Sequence, residues 1–456
     1  MALATPAPHD AVLTPPSSPD AWSRRWPRLL VVVFLLATAA RVATALWYGA
    51  APLGGDEIEY DALAQGLVEN GRYASQPGFS PLIYSEPGAP TSFRPPGWPF
   101  ALAQFYRVFG HHTMAARIGL AVWNGLGAVV LAVLARRLFA DPRVALATGL
   151  VWALWPASFW YPGTRSPTLG SEGVSVPLLL FALLALHQAR RHHALLALTA
   201  GVLFGACTLI RSNFSLLVPL AAAWILSTSG GPLRSRLRTA SLLVLAAGVV
   251  VAPWMLRNLR QLGSFTIATQ REPLFLGNNA WARGSYDGEF FTAGSGQVRW
   301  LLERHPDFLQ KSELEKSRIY VAAWRAYARA EPRREAWLIG RRALLFFSPF
   351  RENETGGNTY DWTFGMLGAI CLLAAPWFLR ANAESRWLAL VPLLATFVAC
   401  LIVLFLPRYR YPAEPLLVAL ACQTVRGAMD RHGVARVTTA LAALAAVNIV
   451  LTLTLR

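Results

Sequence analysis

Apolar runs of membrane-spanning length recur from one end of this chain to the other, and they constrain its fold more than any other feature. A helix of about 20 such residues covers the roughly 30 Å of a bilayer's hydrocarbon and bonds its own backbone internally, as hydrocarbon demands. Runs of this kind fall near 29–48, 114–138, 142–161, 171–189, 194–210, 214–229, 238–256, 362–380, 386–406, 412–427 and 434–455. They predict an all-α polytopic membrane protein with about 11 transmembrane helices. With 54% hydrophobic residues in a chain of 456, a soluble fold could not hide them all.

Charge sets an orientation for these spans. The formal net charge is +17, and the basic residues are almost all arginine, Lys311 and Lys316 being the two lysines. Nucleic-acid binding would gather such charge on one soluble face, whereas here it is scattered among the loops, so no nucleic-acid partner is expected. Arg24, Arg25 and Arg28 precede the first span, and basic turns recur at Arg136, Arg137 and Arg143, at Arg190 and Arg191, and at Arg234, Arg236 and Arg238. Arg380 and Arg386, then Arg426, Arg431 and Arg436, continue the series. Short basic loops mark the cytoplasmic side, which puts the N-terminus inside the cell membrane. The parity is weakest at 194–229, where two helices share a stretch broken only by "IRSNF". Cys207, Cys371, Cys400 and Cys422 lie in apolar segments without metal-like spacing and read as small buried hydrophobes.

Four regions follow from this reading. Residues 1–27 form a disordered cytoplasmic N-terminus, rich in Pro, Ser and Ala as far as residue 22. Residues 28–256 form a transmembrane module with an outer loop at 49–113. A second outer region, 257–361, is turn-rich and then helical, and 362–456 supplies the last transmembrane helices. Amphipathic helices are expected in both outer regions.

The outer loop opens on "GGDEIEYDALAQGLVENG", residues 54–71, where apolar residues at helical spacing predict a short amphipathic helix over 57–70. One reading makes Asp56 the helix cap, with Glu59 completing a capping box. Capping leaves unexplained why Gly54-Gly55 should turn the chain sharply and fix a carboxylate at the mouth of a membrane bundle. There an Asp could take a proton from a hydroxyl. "TSFRPPGWPF", residues 91–100, reads as a stiff interfacial turn, yet Arg94 could return to the same mouth.

Gly-Asp-Glu, a Tyr three residues after the Glu, and then Arg-Pro-Pro-Gly-Trp-Pro resemble the first outer loop of the C-superfamily membrane glycosyltransferases. The resemblance is strongest to the protein O-mannosyltransferases and the lipid A aminoarabinose transferase (glycosyltransferase family 39 and relatives). It continues through "SEGVSVPLLLFALLAL", "TLIRSNFSLLVPL", a stretch ending in Gly277-Asn278-Asn279, and "PRYRYPAEPLLVAL". What the resemblance implies is specific. Asp56 would be the catalytic general base, and Glu172, the acid opening the fourth helix, a second catalytic carboxylate that orients acceptor or sugar. Arg94 would contact donor phosphate, with Arg211, Arg408 and Arg410 as further candidates. Glu57, Tyr60, Asn278 and Asn279 would contact substrate, with turn formation the plainer reading of the two asparagines. The donor would be a polyprenyl-phosphate sugar, and the acceptor a hydroxyl on a glycan, lipid or protein. A divalent metal at Glu172 is open. Asn213 departs from the family's usual Thr-Arg-Pro break.

Independent physics bears on the arginines. A charge at mid-bilayer costs at least ~2.5–3.5 kcal/mol, and Arg41, Arg211, Arg408 and Arg410 all sit toward the side opposite the basic turns. Each could reach lipid headgroups separately, or several could converge with Arg94 as a phosphate clamp. A flippase for lipid-linked sugars is the alternative function, though no internal repeat is visible and the sharp motifs gather at one side.

Overall fold

A computed structural model describes residues 21–48, 52–155, 169–190, 193–285, 295–348, 350–352, 358–360, 368–376 and 383–454. Parts of the spans expected at 142–161 and 362–380 lie outside these residues, as does the N-terminal tail to residue 20. The first half of the chain contributes α1 (Ala21–Tyr48), α2 (Asp56–Glu69), α3 (Gly97–Phe109), α4 (Thr113–Phe139), α5 (Pro142–Ala153), α6 (Ser171–Ala189), α7 (Ala194–Ile210), α8 (Leu217–Thr228) and α9 (Leu233–Leu262). Then come α10 (Glu272–Gly277), α11 (Gly296–Arg304), α12 (Glu313–Ala330) and α13 (Pro332–Phe347). A two-stranded antiparallel ribbon pairs β1 (Phe350–Glu352) with β2 (Asn358–Tyr360). After it run α14 (368–376), α15 (Ala383–Ile402), α16 (Pro407–Arg410), α17 (Glu414–His432) and α18 (Val434–Thr454).

Among the described residues α1, α4, α6, α9 and α18 are long and apolar enough to cross a membrane. The apolar helices Ala194–Ile210, Ser212–Thr228 and Trp387–Ile402 are shorter. All of these but α18 contribute to one continuous apolar core built from Val33, Leu131, Trp152, Leu183, Phe204, Trp224 and their neighbours.

The doubtful stretch at 194–229 is two helices. The backbone leaves α7 at Arg211 in an extended conformation (φ −140°, ψ 114°), and a 3-10 turn over Ser212–Leu216 starts α8. Direction follows from close packing: Gly201 lies against Leu243 and Ala246, and Gly205 against Ala247 and Val250. Both series rise together, so α7 and α9 are parallel and α8 must return between them. A β-carbon at Gly201 would strike the Leu243 carbonyl oxygen, so these backbones approach as only glycine permits.

Side-chain contacts then sort the ends of the bundle. At one end Arg136 lies over Trp26, Arg236 donates to the Leu226 carbonyl, and Arg426 meets Asp141. Asp141 also caps α5 by accepting from the backbone of Arg143 and Val144. This is the end with the basic turns. At the opposite end the stretch before α3 interlocks with the end of α9 and with α12: Arg257 donates to the carbonyls of Thr91 and Tyr73, and Lys316 donates to the Tyr84 carbonyl. Glu313 accepts from the Thr91 hydroxyl and the Ser92 backbone, and its neighbour Ser312 forms a complete capping box with Glu315.

Candidate active site

Helix α2 begins one residue earlier than its periodicity suggested, and its cap corrects the sequence reading. The N-cap is Gly55, at φ 55° and ψ −128°, a conformation side-chain-bearing residues rarely adopt. No side chain caps the helix. Asp56 is instead its first residue, and Asp56, Glu59 and Tyr60 stand on one face at three- and four-residue spacing. The carboxylates that a capping box would have used are thereby free to meet cations.

With Glu172, they meet arginines from three distant segments. Arg94, on the approach to α3, donates from Nη2 to Asp56 Oδ1 at 2.7 Å and from Nε to Glu59 Oε2 at 2.5 Å. Arg408, in α16, donates from Nη1 to the other Asp56 oxygen at 2.7 Å. Arg211, at the break after α7, pairs with Glu172 Oε1 at 2.5 Å and donates to the Ser171 hydroxyl. Arg408 Nε lies 3.7 Å from that same Glu172 oxygen and joins the two halves. Rings pack the cluster: Tyr60 lies under Arg94, and Tyr409 lies near both Arg211 and Arg408. The Tyr84 hydroxyl donates to Glu59.

Three guanidinium groups and three carboxylates thus share one site at the end of the bundle away from the basic turns. The Asp56 side chain keeps 26% of its exposure, and that of Arg408 28%, so the site is open to a ligand. Burial alone would raise the Asp56 pKa, but Arg408 and Arg94 more than offset it and hold the carboxyl well below its usual range.

Four of the expected site residues stand elsewhere. Arg410 is buried against the Phe346 carbonyl, with Glu414 3.7 Å away. Two residues apart on a helix turn, Arg408 and Arg410 cannot face the same way. Asn278 is fully buried, donates to the carbonyls of Leu274, Ile402 and Val403, and accepts from Arg342. Asn279 donates to the Phe275 carbonyl and accepts from the Trp281 backbone. Both tie α10 to its surroundings, as the turn reading would have them. Glu57, one residue round the helix from Asp56, accepts from the Gly54 backbone and lies 3.9 Å from Arg117. Arg41 neither joins the cluster nor reaches outward. It donates to the Ala37 and Ala153 carbonyls between α1 and α5. His111 pairs with Asp61 at 2.9 Å, away from the cluster's arginines.

Sequence reading missed Glu59 as a partner of Arg94, although its three-residue spacing from Asp56 was available. It also missed Tyr409, Tyr84 and Glu272, whose proximity depends on segments far apart in the chain. Glu272 is buried, feels Arg94 and Glu59, and is pushed up to about 8 by burial.

Residues 93–256 match the dolichyl-phosphate-mannose-protein mannosyltransferase family. A 204-residue stretch, 44% of this chain, is 30% identical to the undecaprenyl phosphate-alpha-4-amino-4-deoxy-L-arabinose arabinosyl transferase of Pseudomonas aeruginosa strain UCBPP-PA14. That stretch covers 35% of the relative. The transferase 1 of that name from Pseudomonas fluorescens Pf-5 is 32% identical over 28% of this chain and 22% of its own. The matched stretches therefore span about a third or less of these curated relatives. Among solved structures, the Archaeoglobus fulgidus oligosaccharyltransferase AglB, in complex with an inhibitory peptide and a dolichol-phosphate, superposes with a TM-score of 0.56. It covers 95% of this chain and 55% of its own, at 16% identity. The likeness shows a fold shared with that archaeal oligosaccharyltransferase. The residues 93–256 matched by the family include Arg94, Glu172 and Arg211, while Asp56 and Arg408 lie outside them.

Proposed function

We propose that this protein is an integral membrane glycosyltransferase, moving a sugar from a polyprenyl-phosphate donor to an acceptor hydroxyl on the extracytoplasmic face. One observation carries the reading: Asp56 is held on both oxygens by Arg94 and Arg408, from segments far apart in sequence, beside the Glu172–Arg211 pair. The relatives' names, which specify undecaprenyl-phosphate-linked sugars, support the donor class.

The resting site poses a chemical problem that the proposal answers. An Asp clamped by two guanidinium groups is a poor base. An incoming donor phosphate offers those groups a stronger anionic partner, with forked hydrogen bonds to its oxygens. As Arg94 and Arg408 turn to the phosphate, Asp56 keeps its partial burial but loses its counter-charges, and its proton affinity rises. Donor binding therefore arms the base.

The acceptor oxygen then attacks the anomeric carbon while its proton passes to Asp56. The bond from that carbon to the phosphate oxygen breaks with its electron pair, and polyprenyl phosphate leaves on the opposite face, giving inversion. Arg94, Arg408 and Arg211 stabilise the charge that grows on the leaving group. Glu172 orients Arg211 and Arg408. The carboxylates nearest the reaction all face guanidinium groups, an arrangement suited to an anion rather than a divalent cation, so no step is assigned to a metal. The N-terminus lies in the cytoplasm, because the basic turns share its side of the bundle.

Membranes from an Arg94→Ala strain test the reading. Unreacted lipid-linked sugar should accumulate on the extracytoplasmic leaflet. Accumulation on the cytoplasmic leaflet would mean that the protein flips such lipids instead.

A further inference from the structure

Helix α12 buries polar side chains that the proposed mechanism leaves unused. Glu313, Lys316 and Tyr320 stand along one face of it at three- and four-residue spacing. Glu313 and Lys316 are almost wholly shut off from solvent, at 3% and 1% exposure. All three bond to the stretch of chain before Arg94. The Tyr320 hydroxyl donates to the Leu82 carbonyl at 2.8 Å, and Lys316 Nζ donates to the Tyr84 carbonyl at 2.6 Å. Glu313 grips that stretch twice. Its backbone N–H donates to the Ser85 hydroxyl at 2.8 Å, while its carboxylate accepts from the Thr91 hydroxyl and, at 2.9 Å, from the Ser92 backbone. The Thr269 hydroxyl, on the chain leading into α10, donates to the same carboxylate.

Each end of the gripped stretch carries a group of the active site. Tyr84, beside Ser85, sends its hydroxyl to Glu59 Oε2 at 2.8 Å. Arg94, two residues beyond Ser92, sends Nε to that same oxygen at 2.5 Å. The first turn of α12 therefore sets where the Tyr84 hydroxyl and the Arg94 guanidinium meet. With Nε fixed on Glu59, the Nη2 of Arg94 is aimed at Asp56, where a donor phosphate would draw it. The Tyr73 hydroxyl holds the Arg94 carbonyl at 2.9 Å, which anchors the backbone and leaves the approach to it for Glu313 to direct. The charges on α12 are costly. Burial raises the Glu313 pKa and pushes Lys316 down to about 8, and apolar side chains of similar size would join the two segments without that cost. What the charged groups add is direction, because each of their bonds names one partner atom.

We propose that Glu313 is a positioning residue for the active site: through Thr91 and Ser92 it aims Arg94 at the donor phosphate, without itself touching substrate. The proposal rests on the reading of Arg94 as a phosphate ligand. A double-mutant cycle tests it, with the affinity of the purified full-length protein in detergent for undecaprenyl phosphate as the readout. Arg94→Ala should weaken binding about 10–100-fold, as loss of a charged hydrogen bond does. Glu313→Ala should weaken it about ten-fold. Glu313→Gln keeps an oxygen for the Ser92 backbone and offers an amide to the threonine hydroxyls, so it should bind within about two-fold of wild type. The combination decides. In an Arg94→Ala background, Glu313→Ala should cost no further affinity, although it should lower the melting temperature in both backgrounds. Thr91→Val, a milder change, should follow the same pattern with a smaller loss, and carries the test should Glu313→Ala fail to fold. Additive losses in the double variants would overturn the positioning role and leave Glu313 a merely structural residue. Undiminished binding in Glu313→Ala and Thr91→Val would overturn it too. Wild-type affinity in Arg94→Ala would instead remove the phosphate reading, and the positioning role with it, an outcome told apart from the other two because in those Arg94 still matters.

Discussion

Asp56 concentrates the chemistry proposed for this protein, and its surroundings make opposite demands on it at rest and during reaction. With both oxygens bonded by arginine, it stays ionised well below the usual carboxylate range. Its folded-state pKa is depressed, so the stability it adds is present above the unfolded value near 4 and is lost only as pH falls through the lower folded one. Acidification from pH 7 to 5 should leave the Asp56 pairing unaffected. Replacing Asp56 with Asn should cut transfer by about 10²–10⁴-fold while leaving donor binding near normal, because Arg94 and Arg408 lose a competitor. Turnover measured with synthetic lipid-linked sugar, alongside donor affinity, checks both halves. Unaltered turnover would remove the base assignment. Glu272 behaves in the reverse sense. Burial pushes it up to about 8, so the folded protein holds a proton there that the unfolded chain releases above about pH 4. Its contribution therefore erodes between roughly pH 4 and 8. Thermal melts over pH 5–8 should slope downward in wild type and less steeply in Glu272→Gln.

Among the elements, α10 shows how a short helix is held where sequence alone gives little reason for it. Gly277 packs so closely on the Val403 carbonyl oxygen that a β-carbon would collide with it, and Arg342 donates to the Gly277 carbonyl and to Asn278. Gly277→Ala should force α10 away from the chain that carries Arg408, costing about 1–3 kcal/mol. A lower melting temperature together with reduced transfer is expected, and unchanged melting would show that the contact yields freely. At the start of α2, Gly55 imposes a different constraint. Alanine there meets no neighbour but must adopt φ +55°. We expect Gly55→Ala to lower turnover more than stability, because it re-aims Asp56. Equal loss of both would make the turn merely structural.

At the scale of the whole molecule, described parts of 52–112 and 257–348 are joined over one end of the bundle. They are tied through Glu313, Lys316 and Arg257 to the loop carrying Arg94. Ala280 is exposed on that side. In Ala280→Cys, membrane-impermeant maleimide should label intact cells, while labelling only after lysis would invert the orientation.

The sequence by itself determined that this chain is a helical bundle in a membrane, because hydrocarbon length and backbone bonding are local demands written into each apolar run. It also determined which turns share an end, since charge beside a span is likewise local. Asp56, Arg94, Arg211, Arg408 and Glu172 could be named from local motifs and their likeness to a family. Whether they met could not. Only the tertiary structure decided that Arg408 turns to Asp56 while Arg410 turns away, that Asn278 binds Arg342, and that Glu59 joins Arg94. Each of those outcomes depends on how helices from distant parts of the chain rotate and pack against one another, and that is fixed by the sum of many weak contacts rather than by any short stretch of residues.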